Sequence, residues 1–537
     1  MKKFIALIIT LAIIAACFCG CGKAEYTDPT ANIKTTASTD KYRNYYEIFV
    51  CSYNDSDGDA VGDLQGVIDK LDYLNDGNPK TDTDLGIDGI WLSPIMPSPS
   101  YHKYDVMDYY NIDERFGTLE TFDTLVKECH KRGIKLIIDM VLNHCSSNHP
   151  LFKKACQQAL DGNLKDDVKY FEIDKYKDNP GDGYTIIGDE YYYESNFSPN
   201  MPEWDLNAQC TRDYFKDVAE FWLKDHDVDG FRLDATLYYT NDHTKGEEFL
   251  KWYYNMAKEI KDDVYMVGEH WTGNAEIQEM YSSGIDSFFA FGFAGATGPF
   301  VNAVRTSTGS NLAESVKSYE AGSKKYNKNA IDCFFLSNHD QIRIGNSFVD
   351  AAQTKMAAAV YMLVPGNSFM YYGEEIGVSQ DAAQSADGYK REAMIWDSKN
   401  LPSIYTDGAG PSEDHASYGG VKQQEKDKNS ILNFYKRVIK VKNQNPAIAR
   451  GTITKTDNFG DNAICGYYVE YKGDKLLIVH NLSKDSAKTV KLKDNAEIRA
   501  DLTTSETKDK DGNIQHITLS DNALTLPQYS TAVLKVG

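Results

Sequence analysis

Eight short runs of β-branched and aromatic residues, separated by stretches with helical periodicity, constrain the fold of this chain more than any other feature. The runs are almost continuously apolar rather than alternating, which is typical of parallel strands covered by helices on both faces. They occupy residues 45–53, 87–93, 135–143, 230–234, 264–269, 287–293, 333–338 and 368–373. Eight such strands with helices between them predict an α/β fold of the (β/α)₈ TIM-barrel type.

The spacing of these runs divides the chain into domains. Neighbouring runs begin about 23 to 49 residues apart, but the third and fourth are about 95 residues apart, which is too long for a loop. The excess predicts a small inserted domain after strand three, over residues 144–204, between barrel segments at 42–143 and 205–451. Beyond residue 451 the pattern alternates between turn signals, which predicts a C-terminal antiparallel β-sandwich domain over 452–537. Thr118 is expected to cap one barrel helix and Thr211 to open another.

The N-terminus has the pattern of an export signal. Lys2 and Lys3 precede an apolar run over residues 4–16, which is too short to span a bilayer. Cys17 and Cys21 each follow residues that resemble the bacterial lipobox, so either cysteine is a candidate for lipidation. We expect a lipoprotein signal peptide over 1–21 and a tether over 22–41. The protein would then sit on the outer face of a bacterial cell membrane, attached to it through the lipid alone.

The charge of the chain limits its partners. Its 57 basic and 79 acidic side chains give a net charge of −22, and the isoelectric point is about 5.0. A nucleic acid would be repelled by such a chain, so we expect no nucleic-acid partner. The seven cysteines beyond residue 21 are scattered and form no Cys-x-x-Cys pair, so neither a zinc site nor a disulfide framework is indicated.

Polar residues follow four of the predicted strands, at the barrel end where active sites of this fold lie. An isolated carboxylate in such a place is usually a helix cap or an ion-pair partner. Here three carboxylates converge on one barrel mouth, which favours catalysis. The strand-end residues are Asn143, His144, Arg232, Asp234, Glu269, His339 and Asp340.

Carboxylates this close cannot all ionise freely, so their pKa values must separate. A retaining glycosidase requires that separation, because it uses one ionised nucleophile and one protonated acid. Arg232 precedes Asp234 by two positions and points to the same face of the strand, so it would keep Asp234 ionised. Glu269 is the better candidate for a raised pKa, because it follows an apolar strand and precedes Trp271.

These strand-end segments resemble the conserved regions of the α-amylase family of glycoside hydrolases, family thirteen. The resemblance extends from about residue 42 to the end of the chain. It implies that Asp234 is the nucleophile, Glu269 the general acid/base and Asp340 the transition-state stabiliser. It also implies a set of sugar-contacting residues, namely Arg232, His144, His339, Tyr104, His102, Asp387 and Arg391.

Two calcium sites are expected. In the first, hard oxygen ligands recur at alternate positions around Gly58, as in an EF-hand loop; a solvated acidic turn is the alternative reading. The resemblance supports calcium there, with Asp55, Asp57, Asp59, Val61 and Asp63 as the candidate ligands. It also implies a second calcium between the barrel and the inserted domain, at Asn143 and Asp205.

Residues and resemblance together predict a retaining enzyme that hydrolyses α-1,4-glucosidic bonds in starch and malto-oligosaccharides. One departure bears on its mode of cleavage. Leu237 and Tyr238 stand where many amylases have a Lys-His pair that binds sugar beyond the cleaved bond. An oligosaccharide α-glucosidase or a 4-α-glucanotransferase of the same family therefore remains an alternative, and a non-catalytic starch-binding lipoprotein is a remote one.

Overall fold

The computed structural model describes residues 28–32, 38–175, 181–381, 383–504, 508, 512 and 514–537. The predicted signal peptide, with Cys17 and Cys21, lies outside these residues, as do 22–27 and 33–37 of the predicted tether. The end of that tether is part of the folded structure, because Asp40 pairs with Arg450 at 2.7 Å and Lys41 with Asp286 at 2.8 Å. None of the helices in the described ranges is both long and apolar enough to cross a membrane.

Eleven strands in the first 371 residues form the barrel and the small sheet inserted into it. The parallel barrel strands follow one another in the order β10-β11-β1-β2-β3-β7-β8-β9, and an isolated parallel bridge from Phe289 to Cys333 joins the two ends. The predicted (β/α)₈ barrel is therefore confirmed. The strands are β1 Asn44–Ile48, β2 Gly89–Leu92, β3 Lys135–Met140, β4 Ile173–Lys175, β5 Tyr184–Ile187, β6 Tyr191–Glu194, β7 Gly230–Leu233, β8 Tyr265–Gly268, β9 Ser287–Phe288, β10 Cys333–Phe335 and β11 Asn367–Tyr371.

Most of the long helices between the barrel strands bury one apolar face, whereas Ala351–Met362 is buried nearly all round. The helix after β2, for example, places Phe122, Leu125, Val126 and Cys129 in the core, and full burial of such side chains stabilises the fold by about 1.5–3 kcal/mol each. The helices are α1 Leu64–Asp69, α2 Leu71–Leu74, α3 Leu119–Lys131, α4 Pro150–Leu160, α5 Gln209–Glu220, α6 His243–Ile260, α7 Asn274–Met280, α8 Pro299–Thr306, α9 Leu312–Tyr326, α10 Ala351–Met362, α11 Asp387–Lys390, α12 Val421–Gln424, α13 Ile431–Gln444 and α14 Pro446–Arg450.

The two predicted helix starts had different outcomes. Thr118 caps α3, since its side chain accepts a hydrogen bond from the Thr121 amide. The prediction for Thr211 was wrong, because α5 begins at Gln209. Thr211 is buried in its first turn, and its hydroxyl donates to the Tyr170 carbonyl at 3.2 Å. It thus bonds to the inserted segment instead of capping its own helix.

The inserted segment and the C-terminal region both contain antiparallel sheets. Strands β4, β6 and β5 form one three-stranded sheet, which lies between β3 and β7 in the chain. The C-terminal region has a five-stranded sheet, β12-β13-β14-β19-β16, and a three-stranded sheet, β15-β18-β17, with an apolar core between them. The predicted C-terminal antiparallel fold is confirmed. Its strands are β12 Thr452–Thr456, β13 Ile464–Tyr471, β14 Asp474–Asn481, β15 Lys488–Lys491, β16 Ala496–Thr503, β17 Thr518–Ser520, β18 Ala523–Leu526 and β19 Ser530–Val536.

Candidate active site

Arg232, near the end of β7, is the centre of the barrel mouth. Its Nη1 lies 2.6 Å from Asp234 and 2.9 Å from Asp139, and its Nη2 lies 2.9 Å from Glu269. The sequence predicts that Arg232 pairs with Asp234, but this one buried guanidinium lies beside all three carboxyl groups. Because its five donors have a fixed planar geometry, Arg232 fixes Asp234 and Glu269 relative to each other.

Glu269 is held from the β7 side by backbone groups. The Ala235 amide donates to Glu269 Oε2 at 2.9 Å, and the amide and hydroxyl of Thr236 both donate to the Glu269 carbonyl. Ala235 reaches this position in a left-handed conformation, with φ of 50°. Burial raises the pKa of Glu269 to about 7; Arg232 opposes this, and Asp234 and Asp340 add to it. At neutral pH a large fraction of Glu269 is therefore protonated.

His339 and Asp340, which follow β10, form a second buried group. His339 Nδ1 lies 2.6 Å from Glu47, and its Nε2 lies 3.0 Å from Asp340 and 2.7 Å from the Tyr104 hydroxyl. Burial alone would lower the pKa of His339, but Asp340 and Glu47 raise it to about 9. Burial alone would raise the pKa of Asp340, but His339 and Arg391 hold it well below its usual range.

Three other predicted sugar-contacting residues line the same cavity. The Tyr104 ring stacks on His339 with centroids 5.5 Å apart, and its hydroxyl donates to Asp139 at 3.0 Å. His102 Nδ1 accepts the Tyr104 amide at 3.1 Å. His144 is 2% exposed, and its Nε2 has no partner among the described residues. A buried nitrogen of this kind is satisfied when a ligand hydroxyl enters the cavity.

Arg391 and Asp387 lie 3.5 Å apart at the rim but differ in burial and partners. Arg391 is buried, donating to Asp340 at 2.6 Å, to the Tyr101 hydroxyl at 2.9 Å and to the His339 carbonyl at 3.0 Å. Asp387 is half exposed and lies 2.8 Å from Lys390. Arg391 therefore orients Asp340, while Asp387 faces the open cavity.

The cavity has a volume of about 630 Å³ and is lined by both polar and aromatic side chains. The polar residues include His102, Asp340, Asp387 and Arg391. The aromatic residues include three half-exposed rings. Phe197 and Tyr238 meet edge to face with centroids 4.8 Å apart, and Trp271 stacks on Phe291 at 4.7 Å. A polyol with apolar ring faces fits such a cavity.

The acidic loop after β1 gathers three of its four carboxylates. Oxygens of Asp55, Asp57 and Asp63 lie within 4.8 Å of one another, the single group of this kind in the described part of the chain. Asp59 is exposed and accepts the Val61 amide at 2.8 Å. The loop therefore offers three adjacent hard oxygen ligands, the donor set that calcium prefers.

The second candidate calcium site lies among other acidic residues. Asn143 is buried, whereas Asp205 is partly exposed and accepts the Asn207 amide at 2.9 Å. Two neighbouring carboxyls, Glu172 and Glu203, have their pKa raised to about 7 by burial. The structure does not gather Asp205 and these two carboxylates as closely as those of the first loop.

Two buried acids were missed by the sequence analysis. Asp139 accepts Arg232, Tyr104 and the Trp91 indole, and Glu47 accepts His339. Both lie within strands rather than at strand ends. The available signal was the single acidic residue inside each apolar run.

The chain is similar to known protein families and to solved structures. The family model described as "Alpha amylase, catalytic domain" matches residues 47–451, and "Alpha-amylase SusG C-terminal domain" matches 464–533. "Alpha-amylase 3" of Dictyoglomus thermophilum is 33% identical, covering 92% of this chain and 94% of that protein. The structure of "Eubacterium rectale Amy13B" has a TM-score of 0.86 and 38% identity, covering 95% of this chain and 100% of that one. The α-amylase structure from H.orenii has a TM-score of 0.80 and 34% identity, covering 93% and 100%.

Proposed function

Since the chain belongs to the α-amylase family of glycoside hydrolases, we propose that it hydrolyses α-1,4-glucosidic bonds of starch and malto-oligosaccharides with retention of configuration. The observation that supports this most strongly is the pairing of Asp234 and Glu269 with the two terminal nitrogens of Arg232. This pairing keeps the two carboxyl groups close together, as a retaining glycosidase requires.

In the first half-reaction Asp234 attacks the anomeric carbon. The carbon–oxygen bond to the leaving sugar breaks, and Glu269 gives its proton to that oxygen. The environment of Glu269 suits this role, because burial keeps it partly protonated at neutral pH. Asp340, held ionised beside His339 and Arg391, stabilises the positive charge that develops on the sugar ring.

In the second half-reaction a water molecule replaces the leaving sugar. Glu269, now ionised, takes a proton from this water, and the new oxygen bonds to the anomeric carbon as the bond to Asp234 breaks. Arg232 is paired with both carboxyl groups, so the negative charge moves between two groups that it already contacts. Two inversions give net retention.

Product analysis tests the function and separates it from its alternatives. The full-length protein is expected to release shorter maltodextrins from maltoheptaose and soluble starch, with the α-anomer formed first by NMR. The Asp234→Asn variant is expected to lose turnover. Products longer than the substrate would indicate a glucanotransferase, and glucose alone would indicate a glucosidase. Starch binding without any release of reducing ends would leave only the non-catalytic reading.

The exposed aromatic rings of the cavity support a role in holding the leaving sugars. Trp271 has one face on Phe291 and is 46% exposed, so its other face is open to the cavity. Tyr238 and Phe197 form the neighbouring wall. Here stacking on aromatic rings would replace the hydrogen bonds of the Lys-His pair found in many relatives.

We propose calcium as a structural ion in the loop of Asp55, Asp57 and Asp63, with Asp59 and Val61 as further candidate ligands. The close carboxylates support this site. Calcium there would tie the loop after β1 to the start of α1, because Asp63 also caps that helix. Asn143 and Asp205 stay candidates for the second ion. Calcium titration by calorimetry on chelated protein tests both, with Asp57→Asn and Asp205→Asn assigning each heat to its site.

Finally, we propose that the protein is exported and anchored to the outer face of the cell membrane through a lipid on Cys17 or Cys21. The apolar run over 4–16 and the two lipobox-like segments support this. In a bacterial host, the Cys17→Ala and Cys21→Ala variants are to be compared by incorporation of labelled palmitate and by release into the medium. The variant that loses both label and membrane attachment identifies the cysteine, and label in neither parent nor variants would contradict the anchor.

A further inference from the structure

Glu47 is a buried acid within a barrel strand, on the far side of His339 from the reacting groups. It is 2% exposed, lies in β1 and is paired in register with Tyr371 of β11. Its Oε1 lies 2.6 Å from His339 Nδ1 and also accepts the His339 amide at 3.3 Å. It touches none of the groups proposed to react with the sugar, so it acts only through His339.

The His339 ring is fixed in all directions. Tyr104 stacks on it with an interplanar angle of 8°, Phe49 stacks on it at 26°, and Trp91 meets it at 73°. These rings set the plane of the imidazole, and Glu47 sets its rotation within that plane. The Nε2 atom is thereby aimed at Asp340 and at the Tyr104 hydroxyl.

Both imidazole nitrogens face carboxylate oxygens, which determines the protonation state. A neutral imidazole has one N–H, so one of Glu47 and Asp340 would face a lone pair at hydrogen-bond distance inside the barrel. The imidazolium donates to Glu47 and forms an ion pair with Asp340. The hydrogen bonds of the Tyr104 hydroxyl also favour an imidazolium. This hydroxyl gives its only proton to Asp139, so it can accept a hydrogen bond from the N–H at His339 Nε2.

We propose that Glu47 is a positioning residue that holds His339 as an imidazolium, and that His339 in turn keeps Asp340 and Tyr104 oriented toward the sugar. This inference rests on the role proposed above for Asp340. The burial of Glu47 strengthens its ion pair with His339, because an ion pair shielded from water is screened little by salt. Without Glu47, His339 would lose one of the two anions that offset its desolvation.

The remaining charged groups around His339 do not replace Glu47. Arg391 donates to the His339 carbonyl and disfavours a second positive charge nearby. Asp139 is reached through Tyr104 and is already paired with Arg232. Asp340 itself is the group to be positioned. Glu47 is therefore the sole buried carboxylate among the described residues in direct contact with His339 Nδ1.

Two variants of the full-length chain test the proposal. Glu47→Gln keeps the shape and removes the charge. Glu374→Gln is the matched control, because Glu374 is equally buried, accepts two tyrosine hydroxyls at 2.8 and 3.0 Å and has no histidine partner. The readouts are ¹⁵N NMR of labelled histidines, with His339 assigned by His339→Asn, and kcat and KM on maltoheptaose.

In the unmodified chain, His339 is expected to show two protonated ring nitrogens at about pH 8, where an ordinary histidine is neutral. In Glu47→Gln its titration midpoint should fall by at least about one pH unit, and kcat should fall about tenfold or more with KM within about threefold. Glu374→Gln should change neither quantity more than about threefold.

Some results would overturn the proposal. A neutral His339 at neutral pH in the unmodified chain would do so even if Glu47→Gln failed to fold. So would an unchanged kcat in a folded Glu47→Gln variant, or a loss confined to KM. Absence of any glucan hydrolysis by the unmodified chain would instead refute the proposed function, and the NMR titration would still report on the Glu47–His339 pair.

Discussion

Raising the pH above neutrality is expected to slow the first half-reaction by removing the proton from Glu269. Burial and the neighbouring carboxylates raise the pKa of this group from the ordinary 4.5 to about 7. The difference corresponds to about 3 kcal/mol in favour of the protonated form. Because the pKa is raised, the acid is present below about pH 7 and is lost above it. About one tenth of the molecules are protonated at pH 8, and about one hundredth at pH 9.

The assay compares two substrates through the pH dependence of kcat/KM, which reports on the free enzyme and the first half-reaction. On maltoheptaose, kcat/KM should fall about tenfold per pH unit above about pH 7. For an aryl maltooligosaccharide, whose phenol leaves without a proton, kcat/KM should not fall in this pH range; the fall is called the limb near neutrality below. For this substrate kcat/KM should decline only near about pH 9, where His339 loses its proton and where both substrates are affected.

The variant Glu269→Gln separates the acid from other titrating groups. Its side-chain oxygen can still accept from the Ala235 amide and lie beside Arg232, but it has no acidic proton to give. On maltoheptaose, kcat/KM should fall by about 10²–10⁴ and lose the limb near neutrality, while the aryl substrate should lose about tenfold or less. The same limb on both substrates, or its survival in the variant, would refute the assignment of Glu269 as the acid.

Three further outcomes are expected. Trp271→Ala should raise KM for maltoheptaose about tenfold with a smaller change in kcat, while Tyr184→Ala, an exposed aromatic outside the cleft, should change neither; equal effects would exclude stacking on Trp271. Ala235→Val should lower the free energy of unfolding by about 1–3 kcal/mol in a denaturant titration, since a β-branched residue is strained at φ of 50°; an unchanged midpoint would show that the backbone adapts. Removal of calcium by a chelator should lower Tm, because saturation at about 100 times Kd stabilises a protein by about 2.7 kcal/mol; Asp57→Asn should lower Tm without chelator and remove the part of the chelator response that comes from the loop after β1.

The barrel and the strand-end residues could be predicted because both depend on local pattern. A strand buried on both faces must be apolar throughout, and a polar residue at its carboxyl end must lie at the barrel mouth. This is why Asp234, Glu269 and Asp340 could be placed together from the sequence.

Other features depend on which strands become neighbours. Glu47 and His339 are 292 positions apart and meet only because β1 lies beside β11, which lies beside β10. Phe197 reaches Tyr238 because the inserted segment folds back over the cleft. No local pattern indicates such contacts. The length of β9 was also overestimated, because the apolar run over 287–293 continues into a 3₁₀ turn at Phe291–Phe293.

Because strand β9 is short, the junction between β9 and β10, the seam of the barrel, has fewer backbone contacts than the ladders between the other barrel strands. Only Ser287 and Phe288 lie in this strand, and one isolated bridge joins the wall to β10. Phe289 packs on Phe335 and Phe369 across the seam, with centroids 5.4 and 5.0 Å apart. The seam is thus stabilised more by edge-to-face packing of aromatic rings than by a ladder of backbone hydrogen bonds. Local opening of the barrel sheet should begin at this junction. Amide hydrogen exchange in the sheet should therefore be fastest at β9 and β10, on the side of the barrel opposite β1 to β3.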